Sequence, residues 1–237
     1  MDAWRADGFV VLPAFLDADE LAPAVAALDR QFPTADEFHD DVDPARNTRY
    51  RDEFAGIHPF PMDEVDLNLL AVHPKVTDLA AALLGRDPLD LRCMSGEGWA
   101  KYTGAADYDQ PLHRDYLNHT QLVTTSDLRF QTVELFIYLV DVPESHGPPH
   151  FLSRRHTAEL PAIPNWYPRR GGVQDEHGWV SLEDNGRLYE LEVSGAGPAG
   201  TIAVYSPSTF HRGTAMTAPR GARYTIHVGF RPAEAVW

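Results

Sequence analysis

Cysteine is almost missing from this chain of 237 residues, where Cys93 stands alone. One thiol can close no internal disulfide and build no thiolate zinc cage, and such a composition suits a reducing compartment, so a cytoplasmic location is expected. Acids outnumber bases thirty-five to twenty, for a net charge of −15, and Lys75 and Lys101 are the only lysines. A surface of that sign repels phosphate backbones and anionic lipid, which argues against nucleic-acid and membrane partners. No apolar run exceeds six residues, as at Leu135–Val140, far short of the ~20 that span a bilayer. The opening Met1-Asp2-Ala3-Trp4-Arg5 lacks the basic and apolar blocks of a signal peptide. Also missing are an H-E-x-x-H zinc motif, a Walker loop, a G-x-G-x-x-G turn and a G-x-S-x-G elbow.

What is present reads as an ordinary globular chain, with 43% apolar and 11% aromatic residues, enough for a sizeable core in one domain over 1–237. Asp7-Gly8-Phe9-Val10-Val11-Leu12-Pro13 predicts a short buried strand. Asp17 and Glu20 stand at capping-box spacing, and Leu21, Val25, Leu28 and Phe32 follow at helical spacing, so a helix is expected over 18–32. A second is expected over 74–84, opened by Pro74 and closed by Gly85. The stretch 33–72 shows no period and reads as irregular cover.

From about residue 90 the pattern becomes strand-like. In 129–142, Val133, Leu135, Ile137 and Leu139 form an aliphatic face that belongs in a packed layer. Thr132, Glu134, Phe136 and Tyr138 form the other, mixed face, which suits a lined cavity. Further strands are expected at 91–103, 148–153, 188–193, 200–206 and 223–230. Helices early and strands later give an α+β chain, mainly β, whose sheet closes into a barrel or jelly roll. The Trp-, Pro- and Gly-rich stretch 157–187 reads as a long loop of the kind that forms lids.

Eleven histidines direct attention to metals. In Pro111-Leu112-His113-Arg114-Asp115, residues two apart on an extended segment project to one side, so His113 and Asp115 can serve one ion. His211 is the best-placed third ligand, and two histidines with one carboxylate on one face of an octahedron suit non-haem Fe(II). Arg223, heading the apolar strand Tyr224–Phe230, can hold a carboxylate in a bidentate fork. His146, His150 and His156 cluster in sequence, but Pro148-Pro149 forbids a helix that would align them. His58, His73 and His177 read as loop or surface residues, and His119 as a loop residue near the pocket.

Taken together, these segments resemble the phytanoyl-CoA dioxygenase family of Fe(II)/2-oxoglutarate-dependent oxygenases. The likeness runs in order through Asp7–Pro13, His113-x-Asp115, Phe136–Val142 with its Asp141–Gly147 turn, His156, Gly200–Tyr205, His211 and Arg223, leaving 33–72 and 157–187 as cover and lid insertions. Ser153-Arg154-Arg155-His156 departs from the family's "P-G-S-H", and His146-Gly147 from its "N-G" turn.

The resemblance implies a double-stranded β-helix (jelly-roll, cupin-like) core with N-terminal helices packed on one sheet. It implies His113, Asp115 and His211 as iron ligands, and Arg223 as the clamp on the far carboxylate of 2-oxoglutarate. Thr214 would assist that clamp, with Phe136 and Lys101 beside the cosubstrate, and Glu134, Tyr138 and Trp99 would meet the substrate. The implied activity consumes O2 and 2-oxoglutarate and oxidises, foremost hydroxylates, a C–H bond of a small molecule, releasing succinate and CO2. Because Asp115 is present, halogenation is not expected. Desaturation, cyclisation and epimerisation use the same site, and a non-catalytic cupin-like binding protein is the alternative. Glu134 favours an amine or hydroxylated substrate, whereas Arg154, Arg155, Arg169 and Arg170, if near the mouth, favour an anion.

Overall fold

Capping chemistry sets the helical first third. After α1 (Asp2–Asp7) and β1 (Phe9–Leu12), helix α2 (Ala18–Gln31) starts where the Asp17 carboxylate accepts from the Glu20 N–H and Glu20 accepts from the Asp17 N–H. Leu21, Ala24 and Leu28 carry its buried face, while Val25 is 41% exposed; the burial steps by three and four, not by four alone. The computed structural model describes residues 2–52, 56–105, 107–115, 130–161, 165–174, 178 and 180–235.

The stretch 33–72 is more ordered than its sequence suggested. It holds α3 (Ala35–His39), with a second capping box from Thr34 and Glu37, α4 (Pro44–Thr48), capped by Asp43, β2 (His58–Pro59) and α5 (Val65–Ala71). Helices of five to seven residues are too short to display a period, and the caps of α3 and α4 are their legible signal, whereas α5 has no side-chain cap. Helix α6 (Pro74–Leu84) follows and ends at Gly85, whose φ of 65° is left-handed. Among the described residues, Val65–Leu84 has the length and hydropathy of a membrane span. It is folded as two helices broken ahead of Pro74, and Leu67, Leu70, Val76, Ala80 and Leu84 pack into the core.

The remaining elements are β3 (Leu91–Tyr102), β4 (Leu112–His113), β5 (Val133–Tyr138), β6 (His150–Leu152), β7 (Trp166–Tyr167), β8 (Val173–Gln174), β9 (Val180–Ser181), α7 (Gly186–Tyr189), β10 (Val193–Ser194), β11 (Ile202–Tyr205), β12 (Phe210–Arg212) and β13 (Ala222–Pro232). A six-stranded sheet runs β1-β11-β5-β13-β3-β2 and a five-stranded sheet β10-β6-β12-β4-β7, with β8-β9 a separate pair. Every pairing is antiparallel.

Strand β5 shows why the six-stranded sheet has two different faces. Leu135 and Ile137 are fully buried and join Ile226 and Val228 against the helices, each burial being worth about 1.5–3 kcal/mol. Glu134, Phe136 and Tyr138 face the other way, toward the five-stranded sheet. Between the sheets, Phe9 from β1 stacks on Phe151 from β6, with ring centroids 5.1 Å apart.

Two segments depart from expectation. The stretch 188–193, read as a strand, is the end of α7 and a turn before β10, because Leu188, Tyr189 and Leu191 cover Leu112, Leu152, Tyr167 and Phe210 on the outside of the five-stranded sheet. The stretch 157–187 is not all loop, since β7 joins that sheet beside β4.

One half-buried histidine gives the helical layer a pH dependence. His58 Nδ1 lies 2.5 Å from the Gln31 amide nitrogen and its Nε2 lies 2.9 Å from the Tyr50 hydroxyl, which itself donates to the Gln31 carbonyl. That closed ring of bonds fits a neutral imidazole accepting at Nδ1 and donating from Nε2. Burial, with Arg49 nearby, lowers the His58 pKa to about 4. The unfolded chain therefore binds the extra proton more readily, and the stability His58 contributes is complete above about pH 6.5 and is lost as pH falls toward 4. Urea unfolding between those pH values should show stability falling with acid, and His58→Gln should flatten that slope.

Candidate metal centre and its cavity

His113 and His211 stand directly opposite each other where β4 pairs with β12, and their ring centroids are 4.5 Å apart. Each ring is turned by the same local device. His113 Nδ1 lies 2.8 Å from the Pro111 carbonyl, and His211 Nδ1 lies 3.1 Å from the Thr209 carbonyl, in both cases the residue two before. A carbonyl can only accept, so each Nδ1 carries the proton and each Nε2 presents a lone pair.

Both Nε2 atoms face Asp115, at 3.5 Å from Oδ1 for His113 and 3.2 Å from Oδ2 for His211. The three candidate ligand atoms lie within 4.8 Å of one another. Burial works against a charge on His211, but the Asp115 carboxylate and the Thr209 carbonyl outweigh it and raise the pKa. Two imidazole lone pairs and a carboxylate converging at the edge of an open chamber form a donor set that fits Fe(II). Asp115 lies past the end of β4. Its N–H donates to the Pro207 carbonyl at 2.9 Å, and its Oδ2 accepts from the Tyr205 hydroxyl at 2.9 Å.

The chamber has a volume of about 540 Å³. Its floor is the inner face of the six-stranded sheet, in rows set by strand register. Lys101 pairs with Arg223; Trp99, Thr225 and Tyr138 share the next row, then Glu97, His227 and Phe136, and finally Ser95, Gly229 and Glu134. Along β3 the cation Lys101 and the acid Glu97 are four residues apart, about 13 Å in an extended strand. The floor is thus cationic at one end and acidic at the other.

At the cationic end, Arg223 Nη1 is buried without a hydrogen-bond partner among the described residues. Burial lowers the Arg223 pKa, with Tyr138 and Asp107 opposing, yet a guanidinium keeps its charge at any ordinary pH. Lys101 Nζ sits 5.5 Å above the Trp99 ring. The Trp99 indole N–H donates to Glu97 Oε2 at 2.8 Å, and its ring stacks on His227 at 4.6 Å. Burial and the positive charges of Arg223 and Lys101 hold His227 well below the usual histidine range, so it is neutral. Tyr138 donates its hydroxyl to the Gly195 carbonyl.

At the acidic end, burial raises the Glu134 pKa, helped by the Asp115 and Glu97 carboxylates. Gly229 makes room for that side chain: a Cβ there would come within 2.6 Å of Ser95 Oγ and 2.7 Å of Glu134 Oε2.

Of the ten residues singled out from the sequence, nine line the chamber and one does not. Thr214 gives its hydroxyl to the Pro148 carbonyl at 2.7 Å, and the threonine that reaches the floor two residues beyond Arg223 is Thr225. None of the four arginines expected near the mouth is among the residues that line the chamber. Arg154 lies under Gly8 and binds Ser208 Oγ, Arg155 pairs with Asp7, Arg169 packs over Tyr189, and Arg170 is exposed.

His150 is engaged by Glu144 and Glu192, and no second group of metal-ligating side chains appears among the described residues. His119 and His177 lie outside them. Tyr205, His227 and Thr225 went unread; for Thr225 and His227, alternation with Arg223 along β13 was the available signal, and nothing comparable marked Tyr205.

Two antiparallel sheets enclosing such a chamber define a cupin-like jelly roll with a candidate metal centre on the smaller sheet. Comparison with known proteins agrees. The family model for phytanoyl-CoA dioxygenase (PhyH) matches residues 4–223, and the chain belongs to that family. No curated protein matches the sequence.

Among solved structures, the epimerase SnoN, in complex with Fe3+, alpha-ketoglutarate and nogalamycin RO, is 21% identical with a TM-score of 0.64, over 98% of this chain and 82% of its own. AviO1 from Streptomyces viridochromogenes Tue57 is 17% identical with a TM-score of 0.66, over 100% and 95%. HygX from Streptomyces hygroscopicus, with nickel, 2-oxoglutarate and hygromycin B bound, is 16% identical with a TM-score of 0.63, over 98% and 86%. At such identities the likeness is one of fold.

Because the Thr214 hydroxyl is committed to Pro148, Thr214→Val should leave 2-oxoglutarate affinity unchanged by calorimetry while lowering unfolding stability by about 1 kcal/mol, the loss typical of one hydrogen bond.

Proposed function

We propose that this protein is a non-haem Fe(II)- and 2-oxoglutarate-dependent oxygenase acting on a small molecule, as one domain over 1–237, with His113, Asp115 and His211 holding the iron. The observation that carries this reading is the pairing of two imidazoles, each fixed through Nδ1, with a carboxylate, beside a chamber whose other sheet buries the Nη1 of Arg223, which has no hydrogen-bond partner among the described residues. When bound, iron and 2-oxoglutarate supply the oxidising chemistry, in which O2 is consumed, the cosubstrate leaves as succinate and CO2, and a substrate C–H bond is oxidised.

The chain's own residues divide the remaining work. Arg223 clasps the far carboxylate of 2-oxoglutarate in a fork, and Lys101 adds positive charge at the same end. Phe136 and Trp99 fill the space beside it and keep out water, which strengthens that ion pair. Neutral His227, in the row of Glu97 and Phe136, brings no charge that would compete for the diacid.

Substrate meets Glu134, Tyr138 and Trp99. With Arg154, Arg155, Arg169 and Arg170 away from the lining, the acidic end decides, and it suits an amine or a hydroxyl-rich compound. Hydroxylation is the outcome assigned first; epimerisation and ring closure on the same site are the alternative, since the fold is shared with the epimerase SnoN and the carbocyclase SnoK. A single free, exposed Cys93 accords with a cytoplasmic location.

Anaerobic addition of Fe(II) and 2-oxoglutarate should produce the visible charge-transfer absorption of the chelate. His211→Ala should abolish it, and Arg223→Lys, which cannot form a fork, should weaken 2-oxoglutarate binding by about tenfold or more. A wild-type protein that gives no such absorption is not an enzyme of this kind.

A further inference from the structure

The three candidate ligands are not supported in the same way. His113 and His211 lie on paired strands, and each ring is fixed by a carbonyl of its own chain two residues back. Asp115 lies beyond the end of β4, where no ladder orients its side chain. A carboxylate in that position can turn about two bonds, and its angle governs how many of its oxygens meet a metal and how many coordination positions stay open. Something else must set that angle.

We propose that Tyr205 is a positioning residue for the metal centre, its hydroxyl fixing the orientation of the Asp115 carboxylate from the opposite sheet. This rests on the iron-site reading above. Tyr205 ends β11, between Phe9 of β1 and Glu134 of β5, and only 4% of its surface is exposed. Its ring is packed between Phe136 at 5.1 Å, Phe151 at 5.7 Å and His211 at 4.3 Å, so the phenol itself has little freedom. From that seat its hydroxyl donates to Asp115 Oδ2 at 2.9 Å.

The same turn of chain closes around the aspartate from three directions. Tyr205 takes the carboxylate, the Pro207 carbonyl takes the Asp115 N–H, and His211 supplies the neighbouring ligand. A donor on Oδ2 occupies one of its lone pairs and so biases the angle at which the carboxylate would meet a metal. It also draws negative charge off the carboxylate. Partners of this kind commonly contribute 10–100-fold in metal affinity.

The test is metal binding by the metal-free protein. Ni(II) titration in a calorimeter gives affinity, and the visible spectrum of bound Co(II) reports ligand geometry. Tyr205→Phe keeps the ring and removes only the hydroxyl. It should bind Ni(II) about 10–100-fold more weakly and shift the Co(II) bands. Tyr102→Phe, which takes an equally buried hydroxyl from the Pro33 carbonyl outside the chamber, should match wild type in both. If Tyr205→Phe also matches wild type, Tyr205 is a packing residue and the assignment falls while the iron site stands. If wild type binds neither ion, the iron-site reading has failed first.

Should Tyr205→Phe not fold, wild type still decides. Zn(II) binding at Asp115 should perturb the attached phenol and give a tyrosine ultraviolet difference band that saturates at one ion per chain. A flat difference spectrum on Zn(II) binding overturns the proposal.

Discussion

The placement of His211 opposite His113 across two short strands is the constraint on which the site depends. Strand pairing brings together residues almost a hundred positions apart, and β12 is held on its other side by β6. A slip of one residue would send both imidazoles to the outer face, because side chains alternate with a period of two. The outer face is already packed: Leu112, Phe210 and Leu152, next to the site residues in sequence or register, close against Tyr167 and the α7 segment. Burial on one side therefore fixes which side chains reach the chamber on the other.

The larger sheet applies the same rule with different chemistry. Alternate residues of β5 and β13 either enter the core beneath the helices or face the chamber. The chamber-facing set is graded from Arg223 and Lys101 to Glu97 and Glu134. Basic and acidic groups spaced along the strands, not gathered in a cluster, give a long chamber two chemically different ends. Trp99 stands in the row between Lys101 and Glu97, and the neutral groups Phe136 and His227 share the row of Glu97.

Much of this was legible in the sequence because it is local. The capping box at Asp17, the Pro74-to-Gly85 helix and the two faces of β5 follow from spacing within a few residues; the two helices keep their expected bounds closely, whereas the strand expected over 129–142 is shorter, Val133–Tyr138. The set His113, Asp115, His211 and Arg223 was also legible, as residue types in an order that resembles a family. What failed was what depends on partners distant in sequence. Thr214 has the right chemistry near the right place, but its hydroxyl is spent on Pro148. Arg154 looked like a mouth residue and is instead packed against Gly8, some 146 positions away. Tyr205 was quoted as part of a strand, yet its role appears only when the strand is seen to bring its hydroxyl to Asp115.

The stack of Phe9 on Phe151 has a meaning beyond packing. All three candidate metal-binding side chains belong to the smaller sheet or its extension, whereas Arg223, the candidate carboxylate clamp, belongs to the larger one. The pair of phenyl rings between the sheets therefore acts as a ruler for the span that a diacid must bridge. Ring thickness at positions 9 and 151 helps set that span, and Phe151, whose ring also stacks on His211 with centroids 6.3 Å apart, carries it directly to the metal end.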